Sequence, residues 1–380
     1  MFTRRCFVSA LMAICLPLSA AAQEVATAPA ALGDGWAVAE PAEAGLDPDA
    51  LAALVEKVDG GGMPNVHAVL IEHKGRLVFE RYWPGEDENW GQPLGRIEHG
   101  PTTQHDLRSV TKSVTSVLLG IALGETADAA LARPIASFFP DREGFGAGLD
   151  AVTLHDVLTM TAGLEWNEMA VPYTDSRNDE IRLYMTDDPI GLVLARAVCD
   201  APGSQWYYNA GLTQLTAGVI ENLTGEPLDT FAEEVLFSPL GITDYTWHRS
   251  MNWSPDSSPS AASGLRLRAR DLAKIGSLIL NDGKWQGRQV VPADWVAAST
   301  TRHVQDNPWG PPGVYGYGYF WYPGMLRGGQ RVIRAVGNGD QRIFVLPDAE
   351  LAITVFAGNY NDFSHLVGER IMGQIIDALQ

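Results

Sequence analysis

The residues best placed to do chemistry are Ser109 and Lys112, in the run Asp106-Leu-Arg-Ser109-Val-Thr-Lys112. Apolar Val114, Val117, Leu118 and Ile121 follow at helical spacing. Serine and lysine, three apart, therefore share one helix face close to its start. A hydroxyl is a weak nucleophile until a neighbouring base takes its proton. Lysine can be that base once burial and the positive helix end lower its pKa. The same end favours a developing negative charge. Ser-x-x-Lys alone is a weak signal: with 18 Ser and five Lys in the chain, chance supplies roughly one match in four such sequences. A solvated helix face is the plainer reading. Two further motifs tip the balance toward chemistry.

The first is Pro202-Gly-Ser-Gln-Trp206-Tyr207-Tyr208-Asn209-Ala210-Gly211, a turn, an aromatic run and a helix start. A tyrosine here could relay a proton between the serine and a leaving group, given a lysine to lower its pKa. The plainer reading is two packed aromatics. The second is Gly337-Asn338-Gly339-Asp340-Gln341, between two strands. Glycines there let backbone approach a ligand. A backbone N–H at this edge, with that of Ser109, could form an oxyanion hole. Read alone, Asn-Gly is a hairpin turn.

These motifs must be held by a frame. Asp47 to Lys57 reads as a helix capped by Asp47. Val66–Ile71 and Arg76–Tyr82 flank His73-Lys74-Gly75 as a hairpin. Trp83 to Gly100 reads as a polar loop. From 109 to 245 the pattern is helical, with Thr153 as a cap, helices at 189–198, 212–223 and 228–236, and a polar connection at 175–188. Residues 246–263 read as a surface loop. Helices follow at 270–280 and 292–299. Strands are predicted at 316–322, 330–336, 342–346 and 351–357, and a closing helix at 364–379. The expected fold is α/β (α+β): a largely antiparallel sheet joining both chain ends, and a helical lobe, with the site between. The lobes would take about 40–105 with 264–380, and about 106–263.

His105 to Lys112, the Pro-Gly-x-x-Trp-x-Tyr-Asn-x-Gly run and the Gly-Asn-Gly-Asp-Gln turn stand in a familiar order. With Val152 to Trp166, Phe237 to Ile242 and Gly264 to Gly276, the chain resembles the serine β-lactamase-related superfamily of penicillin-recognising enzymes. It most resembles 6-aminohexanoate-dimer hydrolases, family VIII carboxylesterases and class C-like β-lactamases, over roughly 40–378. The resemblance implies the β-lactamase/transpeptidase fold, with Ser109 as nucleophile, Lys112 as base and a second-motif tyrosine as proton relay. Tyr207-Tyr208-Asn209 satisfies Tyr-x-Asn literally, but the spacing from Pro202-Gly203 in the resembling esterases selects Tyr208. Gly337, Asn338, Gly339 and Asp340 would serve the substrate and oxyanion. Where the superfamily has Lys-Thr-Gly, this chain has Gly337-Asn338-Gly339, so a cation for a substrate carboxylate is missing. No counterpart of the class A deacylating glutamate is evident.

The expected function is an exported serine hydrolase cleaving an ester or amide through an acyl-enzyme. A β-lactamase or D-alanyl-D-alanine peptidase is the alternative, and an inactive binding protein on the same scaffold is the alternative of another class. No Gly-x-Ser-x-Gly elbow accompanies the eight histidines, of which His105, His155 and His248 read as structural. No metal or cofactor is expected, since no His-Glu-x-x-His or paired His/Cys spacing occurs. A net charge of −19 argues against nucleic acid and anionic membranes as partners; a small ester or amide is expected instead. Residues 1–22 read as a signal peptide, with Arg4-Arg5, an apolar stretch and Ala20-Ala-Ala22 before Gln23. The rest, 23–380, would be one catalytic domain, periplasmic or secreted. Cys199 would be its lone cysteine, which precludes an intrachain disulfide. Past the leader no stretch is expected to span a membrane.

Overall fold

A computed structural model describes residues 27–253, 257–305, 313–362 and 364–380. The signal-peptide reading lies outside them. Strands β1 (Val66–His73) and β2 (Arg76–Tyr82) are joined by Lys74 and Gly75. Their φ angles of 51° and 76° are those of the two-residue turn that matches strand twist. The segment read as a polar loop after Trp83 is a second hairpin, β3 (Gly85–Asn89) and β4 (Gln92–Ile97). Its turn residues, Trp90 and Gly91, also have positive φ. Polar strand residues hid it, because a ribbon outside the main sheet needs no apolar alternation. Strands β5 (Gln104–Asp106), β6 (Thr246–Trp247) and β7 (Leu265–Arg268) form a small sheet in the order β5-β7-β6. A short ribbon follows, β8 (Lys284–Trp285) with β9 (Arg288–Gln289).

The main sheet adds β10 (Tyr322–Met325), β11 (Arg331–Gly337), β12 (Gln341–Leu346) and β13 (Leu351–Ala357), in the order β10-β11-β12-β13-β1-β2. It is antiparallel throughout and does join the chain ends, with Val69 opposite Val355. The expected strand over 316–322 begins only at Tyr322. Every residue of β1 and β13 is buried, as in a sheet covered on both faces. On one face Val69, Ile71, Ile353 and Val355 pack with Leu51 and Val55 of helix Pro48–Asp59 and Ile371 and Ile375 of helix Val367–Asp377. On the other, Ala68, Leu70 and Ile343 pack with helix Ala269–Leu280, and this core continues without a break into the helical region.

Caps set the helix starts. Asp47 accepts the Asp49 N–H at 2.9 Å, and Thr153 with Asp156 forms a reciprocal capping box. Three expectations change. The 175–188 connection holds a helix, Asp179–Met185, capped by Asn178. Of the expected surface loop, Ser258 and Ser260–Ser263 are buried; their small side chains let the chain pass tightly behind Lys112. Finally, Val110–Leu131 is long and apolar enough to cross a membrane. Here it is a core element, with Val114, Val117, Leu118 and Leu119 almost wholly enclosed by protein.

Candidate active site

Ser109 is delivered by β5, which pairs with β7 and hands the chain to helix Val110–Leu123. The turn between them puts Arg108 at φ 48°, a left-handed conformation that costs a non-glycine residue energy and often marks a functional site. Arg108 is held there by Glu88 at 2.8 Å and Asp106 at 3.1 Å. Asp106 in turn pairs with Arg266 and accepts the Trp90 N–H at 2.7 Å. Ser109 occupies the helix N-cap yet makes no side-chain cap bond, so its hydroxyl remains available.

One helical turn on, Lys112 Nζ lies 3.2 Å from Ser109 Oγ and donates to the Ala262 carbonyl at 2.9 Å. Lys112 is 2% exposed. Burial lowers its pKa, opposed by the negative charges of Glu180 and Glu168. A neutral amine at this distance can accept the Ser109 proton. The Nζ also stands 4.9 Å from the centre of the Tyr208 ring.

Tyr208 and Tyr207 face opposite environments. The turn at Gly203, φ 79°, leads to Asn209, whose side chain caps helix Ala210–Thr224 through the Leu212 N–H. Tyr208, just before the cap, is 3% exposed, and its hydroxyl is hydrogen-bonded to Ser109. Tyr207 is 40% exposed. The sequence reading asked for a tyrosine pKa lowered by lysine; the structure shows the reverse. Burial, then the charge of Glu168, raises the Tyr208 phenol well above 10. The buried phenol is thereby held in its neutral, protonated form.

Glu168 was missed. It lies in the loop after Trp166, fully enclosed, where one carboxylate oxygen accepts the Trp166 indole N–H and the Ala210 N–H, both at 2.8 Å. The other accepts the Tyr173 hydroxyl at 3.1 Å. Burial raises its pKa, and the nearby Glu180 raises it further. It carries charge toward both Lys112 and Tyr208 from a loop without periodicity, so no spacing could have announced it. The Ala262 carbonyl was missed with the loop that carries it.

In the third motif Gly337 pairs with Gln341 at the end of β11. A methyl group on Gly337 would overlap the Leu107 carbonyl oxygen, so this backbone lies against the segment entering Ser109. The other side chains serve neighbouring loops. Asn338 exchanges hydrogen bonds with Asn361, at 2.8 and 2.7 Å. Asp340 pairs with Arg342 at 2.5 Å and accepts the Val367 N–H at 2.7 Å. Gly339, φ 90°, makes the turn. Trp166, Trp321 and Tyr322 are core residues. Among the described residues no histidine hydrogen-bonds Ser109; His155 bonds Tyr319 and His248 bonds Asn89.

The sequence profile of the family described as Beta-lactamase matches residues 50–370, a span that includes all three motifs. The chain belongs to the β-lactamase family. Within it, the chain is 29% identical over 218 residues to esterase EstB of Burkholderia gladioli, covering 54% of each. It is 24% identical over 269 residues to a 6-aminohexanoate-dimer hydrolase of Paenarthrobacter ureafaciens, covering 68% of this chain and 63% of that one. The chain thus spans about half to two thirds of the length of these curated relatives. A solved family VIII carboxylesterase superposes with a TM-score of 0.66 at 18% identity, covering 87% of this chain and 96% of the other. The fold is the β-lactamase/transpeptidase fold.

Proposed function

We propose that this family member is an exported serine hydrolase that cleaves an ester or amide through an acyl-enzyme. The observation that carries this is the buried Lys112 Nζ, 3.2 Å from Ser109 Oγ, with the Tyr208 hydroxyl on the same serine. Neutral Lys112 takes the Ser109 proton as Oγ bonds to the carbonyl carbon. Backbone N–H groups at Ser109 and the Gly337–Gly339 edge receive the oxyanion. As the bond to the leaving group breaks, the Tyr208 hydroxyl gives that group its proton and is reprotonated from the Lys112 ammonium. Water then enters by the reverse relay and releases the acid. An ester or neutral amide suits the site better than a β-lactam, because Gly337 brings no cation for a carboxylate. Export rests on the reading of residues 1–22.

The test is a panel of p-nitrophenyl esters, nitrocefin and short amides, with intact-mass measurement of the quenched enzyme. An acyl adduct on the wild type and neither adduct nor turnover in Ser109→Ala is expected. Turnover by Ser109→Ala at the wild-type rate would overturn the assignment.

A further inference from the structure

Behind the Ser109 segment, four segments bring together three histidines and an aspartate that the proposed hydrolysis does not use. His67 comes from β1, Asp87 from β3, His99 from the chain after β4, and His105 from β5. One potential ligand atom from each of His67, Asp87 and His99 lies within 4.8 Å of the others. His105 Nε2 is 2.8 Å from His67 Nδ1 and 3.4 Å from Asp87 Oδ1. The His67 and His99 rings stack with centroids 4.0 Å apart.

The polar atoms of this cluster do not balance internally. His105 Nδ1 faces the Asp106 carbonyl at 3.1 Å, so that nitrogen carries the proton and Nε2 presents a lone pair. Asp87 Oδ1 accepts the Tyr360 hydroxyl and the Glu88 N–H, each at 2.8 Å. Among the described residues, Asp87 Oδ2 and His99 Nε2 are buried with no partner. Unpartnered buried polar atoms are costly and need an explanation.

We propose that His67, Asp87, His99 and His105 bind a divalent transition-metal ion of the zinc class. Imidazole nitrogens with one carboxylate are a characteristic donor set for Zn²⁺. Tetrahedral ligation at about 2.0–2.1 Å sets donor atoms about 3.3–3.4 Å apart, so a pair at the 4.8 Å limit must close by about 1.5 Å, shared between two side chains. Supporting contacts are present: the Asp106 carbonyl fixes the His105 tautomer, and the Tyr360 hydroxyl orients Asp87. His105 begins the strand that leads to Ser109, so the ion would brace the entry to the nucleophile from behind. The sequence led to no metal being expected because ligands at 67, 87, 99 and 105 follow no regular spacing.

The experiment uses untagged full-length mature protein, stripped with a chelator and dialysed, then titrated with Zn²⁺ against a competing fluorescent indicator. One equivalent bound by the wild type is expected, with a raised melting temperature. Affinity should fall at least tenfold in Asp87→Asn and His99→Gln, and be unchanged in Cys199→Ser, which controls for the exposed thiol. His99 is only half-buried, so its glutamine variant should fold, which near-ultraviolet circular dichroism checks. Absence of a bound equivalent in the wild type, or its retention in a folded His99→Gln, would overturn the site. Both readouts are independent of turnover, so they stand or fall apart from the hydrolase assignment.

Discussion

Replacing Tyr208 with Phe removes one oxygen and keeps the ring that packs beneath Lys112. Two costs follow, and they differ in size. Folding loses a buried hydroxyl with one hydrogen bond, about 0.5–1.5 kcal/mol, small against the roughly 5–15 kcal/mol that holds a typical domain. The folded fraction at assay temperature is then essentially unchanged. Catalysis loses its proton donor to the leaving group, usually worth about 10²–10⁴-fold, or roughly 2.7–5.5 kcal/mol of barrier. Because burial keeps the phenol neutral, the loss should depend on how badly the leaving group needs a proton. A p-nitrophenyl ester departs as a stable anion and should suffer least; an alkyl ester or amide should suffer most. The assay is kcat on such a series for the wild type, Tyr208→Phe and Tyr207→Phe. Tyr207 is exposed, and its loss should change little. If Tyr208→Phe stayed within about threefold of wild type on the alkyl ester, well below the usual worth of such a donor, or Tyr207→Phe proved the slower enzyme, the relay would belong elsewhere.

Glu168→Gln removes a negative charge that raises the Lys112 pKa, so the acid limb of the kcat/KM profile should move to lower pH; an unmoved or raised limb would count against that coupling. Gly337→Ala drives a methyl group into the Leu107 carbonyl, for which a destabilisation of about 1–3 kcal/mol and a marked loss of activity should appear in urea melts and ester assays. Glu72, on β1, is pushed by burial to a pKa of about 7. The folded state therefore holds its proton more tightly than the unfolded chain, and stability falls as pH rises from about 4.5 to about 7, by at most about 3 kcal/mol. Glu72→Gln should remove that part of the slope between pH 5 and pH 8; identical slopes in variant and wild type would refute it.

What could be read from sequence follows from what leaves a local pattern. The Ser109 helix, the β1–β2 hairpin and the C-terminal strands carry periodicity and turn residues, and their pairing into one sheet follows from where strands sit in the chain. Successive residues at a helix entry point in different directions, so only one of Tyr207 and Tyr208 can face Ser109; the preference for Tyr208 came from the turn spacing that the resemblance supplied. The rest depended on contacts between distant, patternless segments. Glu168 reaches the site from an irregular loop, and Ala262 contributes only a backbone carbonyl. The β3–β4 ribbon lacks an apolar face. The Tyr208 pKa was misread because the sequence names the lysine beside it but not the extent of its burial.

The pairing of Val69 with Val355 has a consequence for biogenesis. Strand β1 is synthesised just before β2, but its other neighbour in the sheet, β13, follows only after all the other strands. Until β13 emerges, the edge of the β1–β2 hairpin offers unpaired amides and carbonyls to any passing strand. Such long-range closure is slow and leaves partly made chains prone to association. The sheet can be completed only once β13 has emerged, so a ribosome-bound fragment ending before Leu351 should behave as a client for chaperones rather than as a folded lobe.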